Sequence, residues 1–418
     1  MKVGFMKRRA VITGLGVIAP NGVGKDAFWD ANIKGVSGVD KVAFFETGPL
    51  DVMIAGQAKD FDPLKYLSEE TVKRTDRFVH LGLAAAKMAV EDSQLNLEVE
   101  DKERIGVVLG SGLGGLLFHE EQIAAAINKG LNRMNPLSVP RVTPNAVAGH
   151  IAIHFGLKGY NFVISTACSS GSHAVGEALR KIQSGELDVC VSGGVEAPLT
   201  QFTFAAYASL RVLSKNNASP QEASRPFDAK RDGFVLAEGA GMLIVEELEH
   251  ALKRNAPIYA ELSGYAANSG AHHMVIPVVD GEDAARVMSS AIKDANLKSE
   301  DIGYINAHGT STHANDKAET KAIKKLFGAR AYQVPVSSTK SMIGHSIGAA
   351  GGIEAVVCAL TVKHDLIPPT INQQHKDPDC DLDYVPNQAR QAKVNAALSN
   401  SFGFGSSNVS LIFTKGGF

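Results

Sequence analysis

The stretch Asn161-Phe162-Val163-Ile164-Ser165-Thr166-Ala167-Cys168-Ser169-Ser170-Gly171 passes from a short apolar segment into a run of small residues. Asn161 to Ile164 reads as a buried strand. From His173 onward Ala174, Val175, Ala178, Leu179 and Ile182 recur at helical spacing, and Gly185 is placed to stop the helix. Cys168 therefore falls in a tight strand–helix junction, just ahead of a helix N-terminus. Free amides and the positive end of the helix dipole there favour thiolate over thiol, and the small neighbours leave room for a substrate carbonyl. A nucleophilic cysteine is one reading. A small buried residue in a turn is the other, and taken locally it is the commoner case.

The chain repeats this pattern. Ile105 to Gly112 resembles Ile302 to Gly309, and Ile164-Ser165-Thr166-Ala167-Cys168 resembles Ser337-Ser338-Thr339-Lys340-Ser341. Val189 to Gly194 resembles Ala397 to Gly403, and the opening strand near Arg9 to Ile18 has a counterpart in Ile258 to Ala267. The order is the same in both series, which single chance similarities would not give. Strands alternating with helices imply parallel sheets covered on both faces. Two halves are expected, residues 1–256 and 257–418, divided near Arg254 to Pro257. Loops at strand ends would then meet at a shared centre, with Cys168 from one half and His308, Lys340, His345 and Phe404 from the other.

Totals exclude several classes. The 418 residues carry a net charge of -2, which gives no support for nucleic-acid binding. No apolar run is expected to reach the ~18–20 residues of a membrane span, and the segment Met1 to Arg9 lacks the apolar core of a signal peptide. Four cysteines without a pairing pattern argue against disulfides or zinc, so a cytoplasmic location is expected. Gly14-Leu15-Gly16 lacks the remaining features of a dinucleotide loop. Arg225-Pro226-Phe227-Asp228 and Arg231-Asp232 read as a loop held by ion pairs.

His308 ends a strand in Asn306-Ala307-His308-Gly309-Thr310-Ser311-Thr312, and His345 lies in Lys340-Ser341-Met342-Ile343-Gly344-His345, again before a small-residue helix. Two imidazoles so placed could donate to one carbonyl oxygen, or one could move protons.

Together with Thr166-Ala167-Cys168-Ser169-Ser170-Gly171 and Ser401-Phe402-Gly403-Phe404-Gly405, these stretches resemble the β-ketoacyl-acyl-carrier-protein synthases, in particular the elongating type II condensing enzymes. The resemblance covers essentially the whole chain. Initiating synthases of the same fold have Cys-His-Asn, so His345 argues against them. Thiolases place a second cysteine late in the chain, where Phe404 and its neighbours supply none.

The resemblance implies an α/β, thiolase-like fold of two similar halves layered α-β-α-β-α. It implies an acyltransferase that condenses a Cys168-bound acyl chain with malonyl-carrier protein, with loss of CO2, in fatty acid elongation. His308 and His345 would stabilise the enolate, and the backbone amides of Cys168 and Phe404 would form the oxyanion hole. Lys340 and Glu354 would support the histidines. Thr310, Thr312, Phe402 and Leu113 would contact substrate, Phe402 and Phe404 as part of a flexing gate. Arg211, Lys73 and Arg74 would meet the acidic carrier protein, with Arg77, Lys129 and Arg133 as further candidates. No cofactor is required, the substrates being carried on the carrier's phosphopantetheine arm, although a structural monovalent cation at Asn306, Ala307, Glu354, Ser399 and Asn400 is compatible with the family. A homodimer is implied, Leu137-Ser138 reaching the partner's pocket.

Val275 stands where these enzymes commonly have threonine, Gly405 is followed by Ser406-Ser407-Asn408 rather than a second glycine, and His313-Ala314-Asn315-Asp316 replaces a proline-containing turn. These departures keep open a ketosynthase of a type II polyketide or polyene pathway, paired with a chain-length factor. A non-catalytic partner subunit is the third reading, and the intact Cys168, His308 and His345 speak against it.

Overall fold

Ile105–Gly110 and Val189–Glu196 are buried at every position, as strands covered on both faces must be. The computed structural model describes residues 8–417; Met1 to Lys7, and the expectation about a signal peptide there, lie outside the described residues. Ten strands build the main sheet: β1 (Ala10–Ala19), β2 (Ile105–Gly110), β3 (Asn161–Ile164), β4 (Val189–Glu196), β5 (Gly239–Glu247), β6 (Ala260–Ser269), β7 (Tyr304–Asn306), β8 (Val336–Ser337), β9 (Ala396–Gly403) and β10 (Ser407–Thr414). A two-residue arm, Gly22–Val23, pairs with β1.

The spatial order is β3-β2-β4-β5-β1 followed by β6-β10-β9-β7-β8. Counted within its own series from the outer edge inward, each reads 3-2-4-5-1. Against the expectation of parallel sheets, the fifth strand of each series is antiparallel to its two neighbours, and only the other pairs are parallel. The repeat legible in the sequence is thus a repeat of topology. The two series are not separate sheets, however. Their first strands pair antiparallel over Val11–Glu261 and Ile12–Ala260, which satisfies two edges that would otherwise be left open.

Eight of the thirteen α-helices among the described residues bear on the site and its cover: α1 (Arg77–Asp92), α2 (Leu116–Lys129), α3 (Ala146–Phe155), α4 (Ser170–Gln183), α5 (Gln201–Ser209), α6 (Glu282–Asp294), α7 (His313–Phe327) and α8 (Ala350–His364). α1 and α3 lie on the outer face of the first series, α6 and α7 on that of the second, and α4 packs on α8 between them. Three apolar layers follow, one on each side of the central pair and one around it. This is the α-β-α-β-α layering that the family resemblance implies. Against expectation, Ile347–His364 is long and apolar enough to cross a membrane, with mean hydropathy 1.3 over 18 residues; 89% of it is buried inside the protein. It is the central helix with its leading turn, apolar all round because the core surrounds it.

Glycines set two close approaches. A Cβ on Gly14 or Gly16 would lie 2.1 or 1.9 Å from the carbonyl oxygens of Ala89 and Ala85 on α1, so the Gly-x-Gly of β1 seats a helix and not a nucleotide. A Cβ on Gly171 would meet Gly352 N at 2.7 Å, so the first turns of α4 and α8 cross backbone to backbone. That crossing brings the two strand–helix junctions together.

The register of the repeat needs one correction. Cys168 lies in a 3₁₀ turn, Ala167–Ser169, after a left-handed Ala167 (φ 51); the matching turn before α8 is Ile347–Ala349, after a left-handed Ile347 (φ 47). The counterpart of Cys168 is therefore Gly348, not Ser341. A short helix, Lys340–Ile343, is inserted between β8 and that turn, and it displaces the register that the similarity of the strands suggests.

Candidate functional site

Cys168, His308, His345, Thr310, Thr312, Phe402 and Phe404 all line one cavity of about 250 Å³. The sequence therefore names the side chains that the fold brings together. Tyr207, Val212, Phe234, Ile347 and the segment Val275-Ile276-Pro277-Val278 complete much of the wall. Leu113 is not part of this lining; its N–H is donated to Glu196 Oε1 at 3.1 Å.

Cys168 is 5% exposed. Its own backbone N–H and that of Phe404 both face the sulfur, the pair of donors that an oxyanion hole requires. Burial pushes the thiol up to about 11, against the pull of the Lys340 charge and of these two amides. The expectation that the helix terminus would favour thiolate is thus overturned in the free protein, because desolvation outweighs the dipole. Alkylation of Cys168 by iodoacetamide should accordingly keep accelerating from pH 8 to pH 10; a plateau reached near pH 7 would contradict it.

His308 follows β7 in a loop whose shape is held by Glu319 on α7. The N–H groups of His308 and Gly309 donate to the two carboxylate oxygens of Glu319, each at 2.9 Å, and Asn400 Nδ2 donates to the same group at 3.1 Å. Glu319 was not singled out from the sequence. It lies on the buried side of α7 with Asn315, Asp316, Ala318, Ala322 and Ile323, a mixed face whose sequence gives no clear signal of burial. The Arg231 guanidinium, 2% exposed, supports the neighbouring loop through Asp377 at 2.5 Å and Asp316 at 3.4 Å, the structural role expected for that segment.

Lys340 Nζ lies 3.5 Å from His308 Nδ1 and pairs with Glu354. An ammonium only donates, so Nδ1 accepts and the imidazole proton is assigned to Nε2. His345 is fixed by its backbone, whose N–H donates to Val235 O at 2.7 Å and whose carbonyl accepts from Ala237 N at 3.0 Å. Its Nδ1 has no partner among the described residues. The two rings stand edge to face, 5.4 Å between centroids. Burial and the Lys340 charge hold both imidazoles well below the usual histidine range, so both are neutral and able to donate to an anionic oxygen.

The Lys340–Glu354 pair is fully buried, and burial drives the Glu354 carboxyl up to about 7 despite its cation. Lys340→Ala would leave that carboxyl without its partner, and the expected loss is about 3–5 kcal/mol of stability at pH 8. A carboxyl raised in the folded state costs most where the unfolded chain is ionised. Urea unfolding of the variant should therefore show a smaller deficit at pH 5.5 than at pH 8. The Asn306 Oδ1, Ser399 Oγ and Glu354 Oε2 atoms are buried without hydrogen-bond partners among the described residues. Such oxygens are the donor type that a monovalent cation takes, and they belong to three of the positions at which the family resemblance implies one.

Thr310 and Thr312 hydrogen-bond to each other at 2.9 Å, and Thr312 caps α7. Gly405 N donates to Met274 O at 2.8 Å and Ser406 Oγ to His273 O at 3.1 Å, joining the β9–β10 hairpin to the segment that carries Val275. Arg211 is exposed and left-handed (φ 56), next to the cavity-lining Val212. Lys73 and Arg74 are exposed and paired with Glu69 and Glu70 at 3.0 and 3.1 Å.

The Beta-ketoacyl synthase N-terminal domain matches residues 7–251 and the Beta-ketoacyl synthase C-terminal domain residues 259–374. The 3-oxoacyl-[acyl-carrier-protein] synthase 2 of Synechocystis is 46% identical over 409 residues, covering 98% of each chain. That of Coxiella burnetii is 43% identical, covering 98% of this chain and 99% of the other. Among solved structures, a type II polyketide ketosynthase in complex with its acyl-carrier protein superposes with a TM-score of 0.92 at 36% identity, over 99% of this chain and 100% of that one. The ishigamide ketosynthase/chain length factor gives 0.93 at 34% identity, with the same coverage.

Proposed function

Since the chain belongs to the β-ketoacyl synthase family, we propose that Cys168 is the residue acylated in its reaction and that His308 and His345 hold the enolate. The enzyme is an acyltransferase of the 3-oxoacyl-[acyl-carrier-protein] synthase type, extending acyl chains in fatty acid synthesis. One observation carries the assignment of roles: a single cavity is lined by a thiol under two backbone amides and by two buried neutral imidazoles.

In the first half-reaction the Cys168 sulfur attacks the acyl thioester, and the amides of Cys168 and Phe404 bind the oxyanion. The carrier's thiol leaves with the proton that Cys168 gives up. In the second, the malonyl thioester loses CO2 and the electron pair of the broken C–C bond becomes an enolate. His308 Nε2–H and His345 donate to its oxygen, contacts that strengthen only as charge develops. The enolate carbon then attacks the Cys168 thioester, the new C–C bond forms, and the sulfur leaves as thiolate and takes a proton from solvent to restore the thiol. Every step is served by side chains and backbone amides, without a resident cofactor. A monovalent cation, if held by Asn306, Ala307, Glu354, Ser399 and Asn400, would supply positive charge beside the Glu354 carboxylate.

Thr310 and Thr312 are assigned to the phosphopantetheine arm, and Arg211, exposed and next in sequence to the cavity-lining Val212, to the acidic carrier protein. Lys73 and Arg74 are weaker carrier contacts, since each already has a carboxylate partner. A second copy of the chain fits the exposed apolar side chains of Leu117, Ile123, Ile127 and Phe202, which line one groove. Free, buried cysteines suit the reducing cytoplasm.

Two observations favour the polyketide reading: Val275 in the cavity wall, where the family resemblance implies threonine, and the likeness to a type II polyketide ketosynthase and to the ishigamide ketosynthase/chain length factor. Incubation with malonyl-carrier protein and acyl-carrier proteins of graded length separates the two readings. Extension of long saturated chains supports fatty acid elongation; extension of polyenoyl or diketide primers only would overturn it in favour of the alternative.

A further inference from the structure

The end of β4 carries a buried carboxylate that the reaction does not use. Glu196 is 0% exposed, and four donors converge on it. Oε2 accepts from Gly112 N at 2.7 Å and Gly348 N at 3.1 Å, while Oε1 accepts from Ser111 Oγ at 3.0 Å and Leu113 N at 3.1 Å. Burial raises the carboxyl to about 7, and these donors oppose it. The carboxylate thus ties the loop after β2 to the turn before α8. The nucleophile's own strand end joins the same knot, because Ser165 Oγ donates to Gly112 O at 3.2 Å.

The turn so tied is strained. Ile347 is β-branched yet left-handed, at φ 47, a conformation that persists only where the surroundings over-determine it. The bond from Gly348 N to Glu196 is one such restraint. The turn matters because Ile347 lines the cavity and packs in the same apolar cluster as Cys168. A Cβ on Gly348 would lie 2.4 Å from Glu196 Oε2, so the carboxylate occupies the space where the matching position of the first half carries the sulfur.

We infer that Glu196 is a positioning residue for the acyl-enzyme: by fixing the Ile347 turn it sets the wall against which the Cys168-bound chain lies. The inference rests on Cys168 being the acylated residue. Glu196→Gln keeps the size of the side chain but points an amide N–H₂ at groups that themselves donate. Transfer of a long saturated acyl group from carrier protein to Cys168, followed by intact-protein mass, should slow about tenfold. Acetyl transfer should slow less than twofold, and the iodoacetamide pH profile of Cys168 should move to lower pH, because the buried Glu196 charge is one of the groups that hold the thiol up. Ile347→Ala, which leaves the carboxylate and its donors in place, should give the same chain-length-dependent loss even if Glu196→Gln proves insoluble.

A soluble Glu196→Gln with wild-type rates, or with equal losses at every chain length, overturns the assignment. So does an Ile347→Ala variant that treats long and short chains as the wild type does. Failure of the wild-type protein to acylate at Cys168 with any chain would instead sink the underlying mechanism.

Discussion

Cys168→Gln is expected to abolish condensation, by a factor on the order of 10⁴ or more, while leaving decarboxylation of malonyl-carrier protein measurable. The two activities separate because they use different groups. Condensation needs a sulfur that bonds to the acyl carbon, and an amide side chain cannot form that thioester. Decarboxylation needs only an oxygen-binding site for the enolate, and His308 and His345 come from the other series of strands, in the loop after β7 and in the loop before α8. Release of labelled CO2, measured beside acyl transfer, reads both. A variant that still condensed at the wild-type rate would remove Cys168 from the mechanism.

The complementary change is His345→Ala. One donor to the developing enolate is lost, which typically costs 10²–10³-fold, about 2.7–4 kcal/mol. Acylation of Cys168 should persist within a few-fold, because the oxyanion of that step lies under the amides of Cys168 and Phe404. His308→Ala should lower decarboxylation to a similar degree, with an added structural cost, since the imidazole also receives the Lys340 ammonium. Both imidazoles being neutral, the wild-type decarboxylation rate should be flat from pH 6.5 to pH 8. A limb with a midpoint near 7 that survives Glu354→Gln, which removes the carboxyl raised to about 7 beside Lys340, would show that one histidine titrates as a base.

Much of this centre was legible in the sequence because strand–turn–helix junctions have a strong local signature. The shift from β-branched to small residues at Ile164–Ser165 located Cys168, and the ends of two later strands located His308 and the hairpin of Phe402 and Phe404. The repeat was legible for the same reason, strand by strand. Its register was not. Lys340–Ile343 inserts residues where similarity was read straight through, so Gly348 went unnoticed as the partner position of Cys168. Glu196 and Glu319 were missed because a buried carboxylate is defined by the backbone N–H groups around it, and those come from loops remote in sequence. The state of the thiol was misread for a related reason. A helix terminus is visible in a sequence, whereas the desolvation that outweighs it depends on Phe234, Ile347 and Tyr207, which only the fold assembles.

The shared strand order of the two series has a consequence for stoichiometry. A chain that carries the same architecture twice offers two places for a nucleophile at the head of a central helix. Only one of them has a side chain. At the other, Gly348 and the Glu196 carboxylate leave nothing to acylate. An active-site titration should therefore count one acyl group per chain and never two. Duplication here doubled the scaffold and not the turnover, and the spare position was converted into support for the one that works.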